Sequence, residues 1–426
     1  MIIKPRGTSD ILPKDAPIWQ DIEKTARSTA ELYGYGEIRF PTFESTELFA
    51  RGVGDTTDVV QKEMYTFEDK DGRSMTLRPE GTACVVRSVI ENGLAGEAMP
   101  LKLYYFTSCF RYEKPAAGRF REFYQFGTEL FGADTPASDA GVISLADTLL
   151  KRLGIKNVQL CINNIGCRNC RPAYREALVA FFTDKQDQLC ETCRGRLKTN
   201  PMRILDCKSP VCQSIAKDAP KVTDHLCGNC RDHNDKLCAY LNDMGIAFTP
   251  DPGIVRGLDY YTKTVFEFIA PIGRDEKTGE EKRLTICAGG RYDGLVEEIG
   301  GPKLPGIGFA AGMDRLVAAM RYGSADVPAP PLPQIYIAPL GDAAVGFASK
   351  LAYDLRQRGI RAECDVVGRS LKSQMKYADK IGAAYTVIIG EYEMQTGRAI
   401  LKNMKTSEQT GIGLGSIADI LLKEGL

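Results

Sequence analysis

At 426 residues, 43% hydrophobic and 26% charged, the chain is too long for a single core and has the composition of a soluble globular protein of two or three domains. Lys plus Arg and Asp plus Glu number 55 each, which excludes overall basicity as a way to hold nucleic acid and leaves only a local patch. No apolar run approaches the roughly 20 residues that span a bilayer, and Met1-Ile2-Ile3-Lys4-Pro5-Arg6 lacks the apolar stretch of a secretory signal, so the cytoplasm is the expected compartment.

Asp15 just ahead of Pro17 signals a helix start, and Ile18, Ile22, Ala26 and Ala30 follow at helical spacing. This helix should end near Gly34-Tyr35-Gly36, before an extended stretch from Glu37 to Pro41. Met64 to Phe67 and Ser74 to Leu77 flank Asp71-Gly72 and predict a hairpin. Arg78-Pro79-Glu80-Gly81-Thr82 then opens a helix that runs through Val85 and Val86.

Thr107 to Glu113 and Arg119 to Glu129 predict two strands joined by the loop Lys114 to Gly118. Side chains two apart share a strand face, so Cys109, Arg111 and Glu113 should align, as should Gln125, Gly127 and Glu129, opposite apolar Phe126 and Leu130. A charged row on a sheet face suits a binding floor. A guanidinium fork grips phosphate, and paired carboxylates grip an amine or an imidazole. The order so far predicts an antiparallel sheet with helices packed on one side.

Residues 166–245 are Cys-rich and polar with little strand signal, and predict an inserted domain. The sheet resumes with Thr264 to Ala270 and Thr285 to Ala288, and a helix beginning near Ala310 carries Arg315. The Pro-rich tract within 326–333 is a stiff linker. After it, strand and helix alternate: Ile335 to Ala338, Ala343 to Arg358, Ile360 to Asp365, Leu371 to Ile381 and Thr386 to Ile389 predict a small α/β domain over 334–426.

Arg111, Arg256 and Arg315 are the candidate phosphate-holding residues. A triphosphate needs cations at separate phosphates, and neither a G-x-x-x-x-G-K-[ST] loop nor a G-x-G-x-x-G turn after an early strand is present. A lone arginine is usually a solvated surface group. The argument rests on the ordered set.

That set resembles a known family. Gly34 to Pro41 resembles motif 1 of class II aminoacyl-tRNA synthetases, Phe110-Arg111-Tyr112-Glu113 through Glu129 motif 2, and Gly306 to Arg315 motif 3. Arg256-Gly257-Leu258-Asp259-Tyr260-Tyr261-Thr262 and Ala288-Gly289-Gly290-Arg291-Tyr292-Asp293 are similar to the histidine-specific signatures of the histidyl-tRNA synthetase family. The resemblance implies an α+β fold, with a class II antiparallel sheet flanked by helices over 1–325, interrupted by the insert, and a C-terminal anticodon-binding domain. It implies ATP-dependent joining of L-histidine to histidine tRNA through a histidyl-adenylate, with Mg2+ sharing the phosphate charge and a homodimer formed through motif 1.

By the same resemblance, Arg111 and Arg256 are catalytic, and Arg111, Glu113 and Arg315 bind ATP. Glu80, Gly81, Thr82 and Gln125 form the site for the α-ammonium of histidine. Glu129 and Tyr261 read the imidazole, with Tyr260 and Arg256 beside them. Adjacent Tyr260 and Tyr261, if extended, point to opposite faces, so only one should line the pocket. The alternative is a non-catalytic histidine-binding paralogue, the regulatory subunit type of ATP phosphoribosyltransferase. It usually has eroded motif arginines and no anticodon-type domain, whereas here Arg111, Arg256 and Arg315 all stand and a domain follows Pro333.

Of 14 cysteines, ten lie between Cys161 and Cys238. Cys167/Cys170, Cys190/Cys193 and Cys227/Cys230 are C-x2-C pairs, with Cys207 and Cys212 a looser fourth. Eight such ligands would fill two tetrahedral zinc sites, with the pairing open and His225 and His233 as substitute ligands; free reduced thiols and redox chemistry are the alternatives. Neither histidine lies near the motifs, so no histidine side chain is expected in catalysis. Arg369, Lys372, Lys376 and Lys380 form a basic helical stripe suited to a tRNA backbone.

Overall fold

The computed structural model describes residues 1–54, 57–116, 118–255, 258–275, 278–323, 325 and 327–423. It divides into two compact units, Met1–Pro328 and Ala329–Leu426. No described helix is long and apolar enough to cross a membrane.

The first unit is built on an eight-stranded sheet: β1 (Gly36–Glu37), β2 (Leu101–Phe110), β3 (Glu122–Phe131), β4 (Gln159–Asn164), β5 (Thr249–Pro250), β6 (Thr262–Arg274), β7 (Glu281–Arg291) and β8 (Gly306–Gly312). Their order is β1-β2-β3-β8-β7-β6-β4-β5, antiparallel throughout the middle, with parallel pairs only at the two edges. Phe43–Ser45, Tyr65–Glu68 and Ser74–Leu77 form a separate three-stranded sheet.

Alternation along the strands gives the large sheet two apolar faces. On one, helices Ala16–Leu32, Pro136–Arg152 and Met313–Tyr322 bury Ile18, Leu149 and Leu316 against Phe126, Phe268 and Phe309. Each such side chain contributes about 1.5–3 kcal/mol by leaving water. On the other face, helix Thr82–Glu91 sets Val85, Val86 and Val89 against Leu103, Tyr105 and Phe131. The one-sided packing expected from the order of elements is thus corrected. Tyr105 and Phe131 make the second face apolar as well, and Leu295 and Val296 of the short helix Leu295–Glu298 join the same core.

Motif boundaries also shift. β2 ends at Phe110, so Arg111 and Glu113 lie in the connecting loop and not on the strand. The Arg111 N–H still donates to the Arg121 carbonyl at 2.8 Å, which keeps the two segments together past the last ladder pair. The helix carrying Arg315 starts at Met313, because Ala310 to Gly312 remain paired in β8.

Residues 166–245 contain no strand. Helices Arg171–Thr183, Glu191–Thr199, Pro210–Ala216 and Gly228–Asp243 enclose a small core of Tyr174, Leu178 and Phe182 with buried cysteines. In the second unit the strand order is Ala362–Cys364, Ile335–Pro339, Tyr385–Ile389, Arg398–Asn403, Gln409–Gly413. The first three run parallel, and the last two add antiparallel strands that the sequence reading did not anticipate.

Candidate active site

A cavity of about 410 Å³ opens on the face of the large sheet opposite Phe126. Glu80 and Thr82 reach it from the start of helix Thr82–Glu91, Arg111 and Glu113 from the loop after β2, and Gln125 from β3. Tyr260 and Tyr261 enter from the turn before β6, and Arg315 from helix Met313–Tyr322. Arg256 and Gly257 lie outside the described residues.

Of the cavity arginines Arg111, Arg119 and Arg315, the first and last are aimed by backbone carbonyls. Arg111 donates from Nε to the Pro79 carbonyl at 2.9 Å, and its guanidinium lies 5.4 Å from the Phe123 ring centre. Arg315 donates from Nε to Gly118 at 3.0 Å and from Nη1 to Thr285 at 2.7 Å. Burial, then the nearby Arg119, holds the Arg315 pKa below the usual guanidinium value. Arg111 and Arg315, from distant parts of the chain, thus share one cavity with Glu113 and with Arg119, which pairs with Glu113 at 3.1 Å. Such forks are suited to separate oxygens of one polyphosphate.

The carboxylates are held differently. Glu80 accepts from the backbone N–H groups of Thr82 at 2.8 Å and Ala83 at 2.7 Å, so its charge sits at the positive end of a helix. Its burial nonetheless raises its pKa. Glu129 accepts from the Thr82 hydroxyl at 2.8 Å, the Tyr105 hydroxyl at 3.2 Å and the Tyr292 hydroxyl. It is 1% exposed, and burial pushes its carboxyl up to about 8 against those three donors. Tyr105, Tyr292 and Gly308 line the cavity, whereas Glu129, to which both tyrosines are bonded, is not among its walls.

Glycines make this arrangement possible. The Tyr105 ring lies between Gly81 and Gly127, and a Cβ on Gly81 would come within 2.5 Å of it. Tyr292 lies against Gly306, and a Cβ on Gly308 would collide with the Glu129 carboxylate. Tyr105 and Tyr292 are the site residues the sequence reading missed. The available signal was glycine inside strands where no turn needs it.

Gln125 accepts from the Cys109 thiol at 3.3 Å. The Tyr260 and Tyr261 rings lie 4.6 Å apart at 48°, and both line the cavity. The expected division between faces is therefore corrected, because Tyr260 lies in a turn and Tyr261 follows it just before β6, so the pair is not extended chain. Asp206 and Lys208 of the insert also reach the cavity.

The eight cysteines form two groups, Cys167/Cys170/Cys227/Cys230 and Cys190/Cys193/Cys207/Cys212, each with all sulfurs within 4.8 Å of one another. Cys167 Sγ lies 3.7 Å from that of Cys170 and 3.9 Å from that of Cys227, and Cys190 Sγ lies 3.8 Å from that of Cys207. Four thiolates at about 2.3 Å around one zinc sit about 3.8 Å apart, so the donor set fits that ion. The Cys193 backbone N–H holds the Cys190 thiol down, to about 7. Neither histidine joins a group. His225 lies against the Tyr174 ring, and His233 Nε2 bonds Asp139 at 2.7 Å. Asp139 in turn accepts from fully buried Arg291, so the fold brings His233 within one side chain of a signature motif from which it is remote in sequence.

In the second unit, Lys372, Lys376 and Lys380 are exposed on helix Leu371–Lys380, opposite buried Gln374 and Ala378. Arg369 is separately engaged. It pairs with Asp365 at 2.7 Å and lies 4.1 Å from the Tyr377 ring centre.

Residues 7–316 match the histidyl-tRNA synthetase family model, and residues 334–424 match an anticodon-binding domain. The chain is 50% identical over 413 residues to the histidine--tRNA ligase of Caldanaerobacter subterraneus subsp. tengcongensis, covering 97% of both chains. It is 51% identical over 410 residues to that of Clostridium perfringens, covering 96% of both. The crystal structure of apo S. aureus histidyl-tRNA synthetase aligns with a TM-score of 0.83 at 40% identity, over 99% of this chain and 100% of that one. By these matches, along nearly its whole length, the chain belongs to the histidyl-tRNA synthetase family.

Proposed function

We propose that this chain joins L-histidine to histidine tRNA in two steps. An oxygen of the histidine carboxylate attacks the α-phosphorus of ATP, the bond to the β-phosphate breaks, and pyrophosphate leaves. A hydroxyl of the terminal tRNA ribose then attacks the adenylate carbonyl carbon, loses its proton, and expels AMP. The observation that carries this reading is the convergence of Arg111, Arg315, Glu80 and Gln125 on one cavity in a chain half identical to histidine--tRNA ligases.

Arg111 is assigned to the α-phosphate and the carboxylate, and Arg315 to the γ-phosphate. Glu80, Thr82 and Gln125, with the backbone at Gly81, take the α-ammonium. Tyr261 and Tyr260 face the imidazole. Glu129 acts on the imidazole through the Tyr105 and Tyr292 hydroxyls, which donate to it and belong to residues lining the cavity. Arg256 is assigned by its motif to the charge developing at the α-phosphate. No group forms a covalent bond with substrate, so catalysis is alignment and electrostatic stabilisation.

Mg2+, when bound, shares the phosphate charge, and the cavity carboxylates Glu113 and Glu267 are the hard oxygen donors it favours. Each cysteine group is assigned one structural zinc, and a reducing cytoplasm would keep those thiols available. The basic stripe Lys372, Lys376 and Lys380, with Arg369 beside it, is assigned to tRNA. A homodimer through the segment Gly34 to Pro41 follows from family resemblance. Exposed Phe43 and Phe67, whose rings lie 6.2 Å apart, support an apolar contact nearby. The regulatory-paralogue reading is disfavoured by Arg111 and Arg315 in the cavity and by the anticodon-domain match.

The test is ATP–pyrophosphate exchange with each of the twenty amino acids in turn. Exchange with histidine alone is expected. Binding of histidine without exchange would favour the regulatory reading. Arg256→Ala should slow exchange roughly a hundredfold to a thousandfold, as for loss of one transition-state donor, and an unchanged rate removes Arg256 from the mechanism.

A further inference from the structure

The second cysteine group and the substrate cavity share one short segment. Cys207 is 8% exposed and turns its sulfur toward that of Cys190. Its neighbours on either side, Asp206 and Lys208, both line the cavity. What fixes Cys207 therefore fixes two cavity walls.

Little else in this stretch is regular enough to hold it. A single 3-10 turn, Pro201–Ile204, precedes it, and the seven-residue helix Pro210–Ala216 follows. Helices this short are marginal without tertiary anchors. Two backbone donors do point at sulfurs of this group: the Ser209 N–H donates to the Cys207 sulfur at 3.4 Å and the Cys190 N–H to the Cys212 sulfur at 3.3 Å. With all four sulfurs within 4.8 Å of one another, the group has the donor set of a four-cysteine metal site. One divalent ion would then cross-link helix Glu191–Thr199, the 207 segment and helix Pro210–Ala216.

The other group does a different job. Cys167 and Cys170 open the insert, and Cys227 and Cys230 lie at the start of the helix that returns to the sheet, so this group closes the neck of the insert.

We propose that zinc in the Cys190/Cys193/Cys207/Cys212 group holds Asp206 and Lys208 against the cavity, where Lys208 presents a cation to the nucleotide phosphates. This rests on the zinc and ATP assignments above. The insert thus completes the nucleotide site, and metal occupancy sets its affinity.

The test uses full-length protein purified without chelator, with zinc measured per chain and pyrophosphate exchange followed at varied ATP. Two zinc ions per chain are expected, falling to one in Cys207→Ser. Lys208→Ala should keep both and raise the KM for ATP roughly fivefold to tenfold, as for loss of one charge contact, and Cys207→Ser should raise it at least as far. Zinc content unchanged by Cys207→Ser overturns the metal assignment of this group, and the proposal with it. Loss of one zinc with a wild-type KM in both variants overturns only the link to the cavity. If Cys207→Ser fails to fold, Lys208→Ala decides, since it removes no sulfur: an unchanged KM overturns the proposal.

Discussion

Tyr105 on β2 faces Gly127 on β3, and its ring fills the space a side chain at position 127 would need. From there its hydroxyl reaches Glu129, two residues along β3 on the same face. The glycine is thus a condition for the hydrogen bond that helps hold a buried carboxyl under the cavity.

Gly127→Ala should force Tyr105 away from Glu129. Overpacking of this kind costs about 1–3 kcal/mol. A lowered thermal midpoint together with a raised KM for histidine in pyrophosphate exchange is expected. A variant with wild-type values for both would show that the slot has no role.

Glu129 carries a pH dependence. Its carboxyl titrates at about 8 in the folded chain, against 4.5 as its ordinary value, with burial the main cause. Between those values the folded state holds a proton that the unfolded state has lost, so its contribution to stability falls as pH rises and levels off above about 8. Glu129→Gln mimics the protonated form. Its stability advantage over wild type should be smallest near pH 4.5 and grow toward pH 8, with a limiting slope of about 1.4 kcal/mol per pH unit. Parallel stability–pH curves for the two proteins would contradict this.

Asp139 is fully buried between Arg291 and His233. Burial opposes its charge, but His233 and Arg291 outweigh it and hold its pKa below the usual value. Asp139→Asn leaves a buried guanidinium short of its counter-charge. Breaking such a pair costs about 3–5 kcal/mol, so the variant should unfold at markedly lower denaturant or be recovered insoluble. A shift under about 0.5 kcal/mol, the size seen at ordinary surface positions, would show that Asp293 alone suffices for Arg291.

The lysine stripe predicts a salt effect. Replacing Lys372, Lys376 and Lys380 together by Ala should weaken tRNA binding and flatten the dependence of log affinity on log salt by about 2–3, if each lysine meets one phosphate. An unchanged slope would mean the stripe is only a solvated face.

Local geometry explains which features were readable beforehand. The Ile18, Ile22, Ala26 and Ala30 spacing marked the buried face of helix Ala16–Leu32, because helical period is set within four residues. Phe126 and Leu130 were legible as core by the same reasoning at period two. The ordered motifs sufficed for the family, and C-x2-C spacing sufficed for six candidate ligands, with Cys207 and Cys212 added as a looser pair, since these are patterns along the chain. Partnerships across the chain were not legible. Only closure of the insert decided that Cys167 and Cys170 meet Cys227 and Cys230 while Cys207 and Cys212 meet Cys190 and Cys193. Only strand register set Gly127 beneath Tyr105 and Gly308 beside Glu129, and only a turn put Tyr260 and Tyr261 in one cavity. Periodicity and spacing are fixed by bonds between neighbours. A side chain's partners are chosen by long-range packing, in which residues far apart in sequence compete for the same buried space.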